Sequence, residues 1–224
     1  MESNDIEVEV NIDDIVQEET YTESSSITHN YNYSYTDAYE IEDIDNRNFF
    51  INSDIDDDCI NSIGYHILRC NRLDKGIPIE DRTPIRLYIN SCGGDIYAGY
   101  SLIDIIKTSK TPIYTINEGV CMSMAFLISI AGQKRYAFPH SVYLMHEGYS
   151  GGSNSMSKLR ERIEFETGQM ENKTRQYVLE NTTISEDVYN AKYKSEWYMY
   201  SETAKEYGIV DSIIGADCSI DEIL

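Results

Sequence analysis

Three short stretches of this chain hold the residue types of a nucleophile, its base and the donors that steady a developing anion. Ser123 stands in GVCMSMAF, residues 119–126, at the mouth of a short apolar segment, and His146 ends SVYLMH 23 residues later. NSCGGD, residues 90–95, adds paired glycines after the apolar run PIRLYIN. A serine in the first turn of a helix sits among free backbone N–H groups at the positive end of the helix dipole, which favours negative charge on its oxygen. A histidine, with an unperturbed pKa of about 6.5, suits proton transfer near neutral pH. Paired glycines let the backbone approach a ligand and aim an amide at an oxyanion. Taken singly, each has an ordinary structural explanation: a small residue packed at a helix start, a half-buried histidine, a tight turn. Cys121 is a rival nucleophile close to Ser123, whereas His29 falls in an acidic segment, His66 on an expected core helix, and His140 ahead of the strand that ends in His146.

The elements that must position these groups read as alternating strands and helices from Asn46 onward. NFFINSDI is a strand and a turn. CINSIGYHILRC places Ile60, Ile63, Ile67 and Leu68 at helical spacing, and NRLDKGIPIEDRTP is a polar loop. PIRLYIN, TPIYTIN and SVYLMH are strands, separated by the helical patterns AGYSLIDIIKTSK and MSMAFLISIAG. Strand, helix, strand in this order requires parallel pairing through right-handed crossovers, so the fold class is α/β and layered. Functional groups of such folds collect in the loops where strands end, and that is where the three stretches lie. After the turn EGYSGG, residues 153–181 carry Leu159, Ile163, Met170, Tyr177 and Val178 at loose helical spacing. Too few of the residues are apolar for a core helix, which predicts one that projects from the domain or packs on another subunit. Ser201 and Ala204 begin a short helix that Gly208 ends, and IVDSII is a last strand.

The net charge of −21 is unevenly placed: residues 1–46 hold 14 Asp or Glu and no Lys or Arg, leaving 18 basic against 25 acidic residues beyond. This splits the chain into an acidic extension, 1–46, expected to be disordered, and a domain, 47–224, of a size for one core. The 19 tyrosines are unusual, and those in HNYNYSYTDAYE keep a partner-binding role for the extension open. No basic cluster offers itself to phosphates, which sets nucleic acid aside. No apolar run approaches the ~20 residues of a membrane span, and the acidic start MESNDIEVEV is unlike a signal peptide, so a cytoplasmic protein is expected. Cys59, Cys70, Cys92, Cys121 and Cys218 show neither disulfide nor metal-site spacing.

Together and in this order, the motifs resemble the Clp protease proteolytic subunit (ClpP) family of self-compartmentalising serine peptidases, from about Arg47 to about Ile214. YINSCGGDIYAGYSLIDII is similar to the family's glycine loop and following helix, MSMAFLISIAGQKRYAFPHSVYLMH to its serine and histidine segment, and SETAKEYGIVDSI to its C-terminal segment. The resemblance implies a crotonase-like fold, stacked βαβ turns with a projecting handle helix. It implies Ser123 as nucleophile, His146 as general base, and the amides of Gly94 and Met124 as oxyanion hole. The family's third triad member, an aspartate, falls on Glu196, giving a Ser-His-Glu triad, with Asp187 an outside candidate. A glutamate can also orient the imidazole. The activity implied is ATP-independent peptide-bond hydrolysis of protein or peptide substrates, with no metal or organic cofactor, in heptameric or stacked rings of the chain with itself.

Family members also dock an ATP-driven AAA+ unfoldase through an aromatic-lined groove. At matching positions Tyr88 keeps that character, whereas the polar Arg86 and Thr108 count against docking. Cys92 replaces a usual proline, Glu147 and Gly148 replace Gln-Pro, and the turn between Ser123 and His146 is shorter. The acidic extension precedes the family's pore loops, as a propeptide, a gate or a partner-binding segment. These departures keep open a second reading, a catalytically inert ClpP-like structural or regulatory subunit. A stand-alone processing peptidase, such as a phage capsid-maturation enzyme, is a variant of the first reading. A crotonase-type acyl-CoA enzyme shares the fold but supplies no reason for this serine and histidine.

Overall fold

The structure, a computed structural model, describes residues 35–149, 151 and 153–224. The chain divides into two units, Met1–Asn46 and Arg47–Leu224. In the first, the described residues form a helix, α1 (Tyr35–Asp45), within the segment expected to be a disordered tail. Residues 1–34 of that segment lie outside the described residues.

The second unit is built on one sheet of β1 (Asn48–Ile51), β2 (Ile85–Ser91), β3 (Ile113–Met122), β4 (Lys134–Ala137), β5 (Val142–Met145), β6 (Trp197–Tyr200) and β7 (Ser212–Ile213). The order is β1-β2-β3-β4-β7, with β5 attached to β3 and β6 to β5. Every pair is parallel except β5–β6. Helices α2 (Asp57–Leu73), α3 (Ile96–Thr108) and α4 (Met124–Ser129) make the connections. The α/β expectation from alternating patterns therefore describes the architecture.

The reason lies in which side chains leave water. Ile85, Leu87 and Ile89 of β2 are fully buried and Tyr88 nearly so, as a strand covered on both faces requires. Each buried aliphatic contributes about 1.5–3 kcal/mol. In α2, Ile60, Ile63, Ile67 and Cys70 form the inward stripe, and the Asp56 carboxylate caps its start by accepting from the Cys59 N–H at 2.8 Å. Such a cap is worth ~1 kcal/mol. Leu68, expected on the same face, is half exposed.

Strand β3 runs on past the expected TPIYTIN, and its two halves have different neighbours. Tyr114–Asn117 pairs with β4, and Val120–Met122 pairs with β5. Asn117 spans the seam: its Nδ2 donates to Val142 O at 3.1 Å, its Oδ1 accepts from the Gly119 N–H at 3.0 Å, and its carbonyl accepts from Ser141 Oγ at 2.7 Å. A buried amide without such partners would be costly. The change of neighbour brings the end of β3, and Ser123 after it, alongside the end of β5.

The expected projecting helix is α5 (Met156–Glu164), a π-helical stretch Phe165–Met170, and α6 (Glu171–Asn181). Its first two parts bury no residue, and α6 is seated through Thr174 and Val178. Tyr177 Oη fastens it by donating to Leu127 O at 3.0 Å. Helices α7 (Glu186–Lys192) and α8 (Ser201–Glu206) flank β6 in sequence.

Candidate active site

Ser123 joins β3 to α4 with φ 53° and ψ −118°. A side chain in that region of backbone space costs ~1–3 kcal/mol and persists only where its surroundings hold it. Here the Ser123 N–H donates to Leu144 O at 3.0 Å and its carbonyl accepts from the Leu127 N–H at 3.3 Å, so strand and helix both grip the turn. Sharp strand-to-helix turns of this kind present nucleophiles on other α/β folds.

The glycine loop lies directly against it. A Cβ on Gly93 would sit 2.8 Å from Ser123 Cβ and 3.0 Å from Met124 N, and one on Gly94 would sit 2.3 Å from Ile55 O. Both glycines have positive φ, 104° and 152°. The loop is pinned by Ile55 N–H to Gly93 O at 2.9 Å and Asp95 N–H to Ile55 O at 2.7 Å. Beyond it, the Asp95 carboxylate caps α3 by accepting from the N–H groups of Tyr97 and Ala98. Among the described residues, the amides of Gly94 and Met124 have no hydrogen-bond partner.

His146 is the residue after β5, whose Leu144 pairs with Met122. Its Nε2 is buried and has no hydrogen-bond partner. Ser123, His146, Gly94 and Met124 all line a single cleft of about 710 Å³. Glu196 does not line it, although the antiparallel register of Met145 with Trp197 puts His146 and Glu196 one step further along facing strands. Its exposed carboxylate instead accepts from Tyr198 Oη at 3.2 Å. Asp187, on α7, is exposed and outside the cleft.

The rivals fall away on physical grounds. Cys121 is fully buried, its thiol faces Ile89 O at 3.9 Å, and burial pushes its pKa well above the ordinary thiol range. A reactive thiol needs the opposite surroundings. His66 stacks on Phe49 with ring centroids 4.9 Å apart, and burial lowers its pKa. His140 is exposed, and His29 lies outside the described residues.

The cleft is also lined by residues that no motif singles out as functional. Ile163, Met170, Thr174 and Val178 of the projecting helix line it together with Phe126 and Leu144. Tyr189 and Tyr193, of α7 and the residue after it, complete the lining, stacked with centroids 4.9 Å apart. Burial pushes both phenols up, Tyr193 to about 12. The available signal was the helical spacing of Ile163, Met170 and Val178, which marks a face but not what it faces. A shallower hollow of about 770 Å³ beside Lys173, Arg175 and Glu180 holds none of the candidate residues.

Such a cleft, with apolar residues in its lining beside a strained serine and an unpartnered histidine nitrogen, can bind an extended chain and act on a carbonyl. Comparison with known proteins points the same way. The Clp protease family model matches residues 30–217. The ATP-dependent Clp protease proteolytic subunit of Bacteroides fragilis is 29% identical over 170 residues, covering 75% of this chain and 79% of the relative. Subunit 2 of the same protease from Corynebacterium efficiens is 32% identical over 171 residues, 75% of this chain and 82% of the relative. Subunit 2 from Treponema pallidum is 32% identical over 136 residues, 58% of this chain and 66% of the relative. With the family model spanning most of the chain and the mostly parallel sheet beneath it, this chain belongs to the Clp protease family and has the ClpP fold.

Proposed function

We propose that the chain is a serine endopeptidase in which Ser123 is the nucleophile and His146 its base. His146 Nε2 takes the Ser123 hydroxyl proton as Oγ attacks the scissile carbonyl carbon, and the amides of Gly94 and Met124 hold the oxyanion. The same nitrogen returns the proton to the leaving amine, the acyl-enzyme forms, and water releases it by the reverse sequence. Glu196 is assigned to orienting His146, from the facing strand. Hydrolysis of the peptide bond itself needs no ATP. The observation that carries this reading is the backbone of Ser123 at φ 53°, wedged against Gly93 in the cleft that also contains His146. The reading includes assembly into stacked, heptameric rings, which the resemblance to the family and the apolar residues Met156, Ile163 and Phe165, exposed on the projecting helix, support.

One observation favours the alternative of an inert, ring-joining subunit: the Glu196 carboxylate accepts from Tyr198 Oη rather than engaging His146. Intact mass after incubation with a fluorophosphonate separates the two. A single adduct on the unmodified protein and none on Ser123→Ala is the expected result; no adduct on the assembled protein would make it the inert subunit.

A further inference from the structure

After β7 the chain turns back and lays its last described residues across β2. Gly215, at φ 84°, opens the turn, and its N–H donates to Cys218 O at 2.8 Å. A single 3-10 turn, Ile220–Glu222, then delivers Ile223 into a socket formed by Tyr88, Ile116, Tyr136 and Ile214, where it is 1% exposed. Tyr88 Oη donates to Ile223 O at 3.1 Å, and the Arg86 guanidinium donates to Leu224 O at 2.6 Å. Phe50 stacks on Tyr88 with centroids 4.9 Å apart. Tyr88 is thus covered rather than open, and Arg86, expected to be a departure that weakens an aromatic groove, is a donor that fastens a peptide within it.

We propose that residues 219–224 are a tethered occupant of this groove, which a partner protein presenting an exposed Ile or Leu on a loop must displace before it can dock. The contacts are those of a peptide ligand: one buried branched side chain and two backbone carbonyls held by side chains. The rest of the segment stays in water, with Ile220 45% and Leu224 68% exposed. A segment held at so few points opens without unfolding the domain. Its tether nevertheless keeps it at an effective concentration on the order of mM, so weak competitors are excluded. None of this depends on Ser123 being active.

The test uses the full chain carrying Ser123→Ala, so that no probe is cut, and a fluorescent peptide of residues 217–224 read by anisotropy. Ile223→Ser added to this chain should bind the peptide at least tenfold more tightly than the chain with its own segment intact. Tyr88→Ala in the Ile223→Ser chain should abolish that binding. Equal binding with and without Ile223→Ser, no binding to an Ile223→Ser chain that melts normally, or binding that survives Tyr88→Ala would each overturn the proposal. Should Ile223→Ser lose its cooperative melt, Ile223→Ala serves instead, since it vacates most of the socket and leaves every groove residue, Arg86 and Tyr88 included, in place. An intermediate gain is expected there, and unchanged affinity would equally overturn the proposal.

Discussion

His146 and Glu196 stand one step beyond the last paired residues of β5 and β6, yet the Glu196 carboxylate turns to the Tyr198 hydroxyl at 3.2 Å. Residues two apart on a strand share a face, which is why this contact is available. The extra methylene that separates glutamate from the family's aspartate gives the carboxylate a second place to rest. A triad role requires it to leave Tyr198 for the imidazole.

Glu196→Gln should therefore lower kcat on a fluorogenic peptide, by up to the ~10⁴-fold seen when a triad carboxylate is neutralised, with assembly by size-exclusion unchanged. Tyr198→Phe should leave kcat equal or raise it, because the competing donor is gone. A normal rate for Glu196→Gln would remove that residue from the mechanism.

Ser123 holds a backbone geometry that only glycine adopts without strain. Ser123→Ala and Ser123→Gly both remove the nucleophile, but only the second releases the strain, at some cost in unfolded-chain entropy. The glycine variant should be the more stable by about 1 kcal/mol, read as a melting temperature higher by roughly 2–4 °C. Equal melting temperatures would mean that the turn is not strained.

How much of this was legible beforehand depended on how local each signal was. Ile60, Ile63 and Ile67 announce α2 because one helix face is buried along its length. WYMY and KRYA, which form β6 and β4, carry no strand signal of that kind: β6 buries only Met199, so no alternation marks it. The extension of β3 through Gly119 to Met122 has no local pattern because its pairing changes midway, and α4 ends at Ser129, short of the apolar run. Ser123, His146 and the glycine pair lie at strand ends, so order and topology suffice to bring them together. Ile223 on Tyr88 and Tyr189 in the cleft wall depend on contacts between segments far apart in sequence, and no periodicity encodes those.

Gly94→Ala asks for a Cβ 2.3 Å from Ile55 O, so the loop must move and carry its free amide with it. Loss of one oxyanion donor costs ~10²–10³ in rate, and the fluorophosphonate labelling rate should fall by that order although Ser123 is intact. Gly168→Ala is the control, because a Cβ there meets nothing within 4 Å. Labelling there should be normal, with slightly greater stability from the gain in helix propensity. If Gly94→Ala labels at the normal rate, its amide is not part of the oxyanion hole.

The pair that ties the start of the domain to α2 sets an acid limit on stability. Arg47 donates from both terminal nitrogens to Asp74, at 2.7 Å each, and Thr111 Oγ1 donates to the same carboxylate at 2.7 Å. Asp74 is buried, and the Arg47 hydrogen bonds, with help from Thr111, hold its pKa below the usual carboxylate value. A carboxyl depressed on folding stabilises the fold fully above its unfolded pKa, about 3.9, and loses that contribution as pH falls through the lower folded value. Arg47→Met leaves the carboxylate buried without its ion partner, which costs about 3–5 kcal/mol near neutral pH. Burial then raises the Asp74 pKa instead, so protonation relieves the penalty. The deficit in melting temperature between the two proteins should be largest at pH 7 and narrow as the pH approaches 4. A deficit independent of pH would mean that Arg47 acts through packing rather than through its charge.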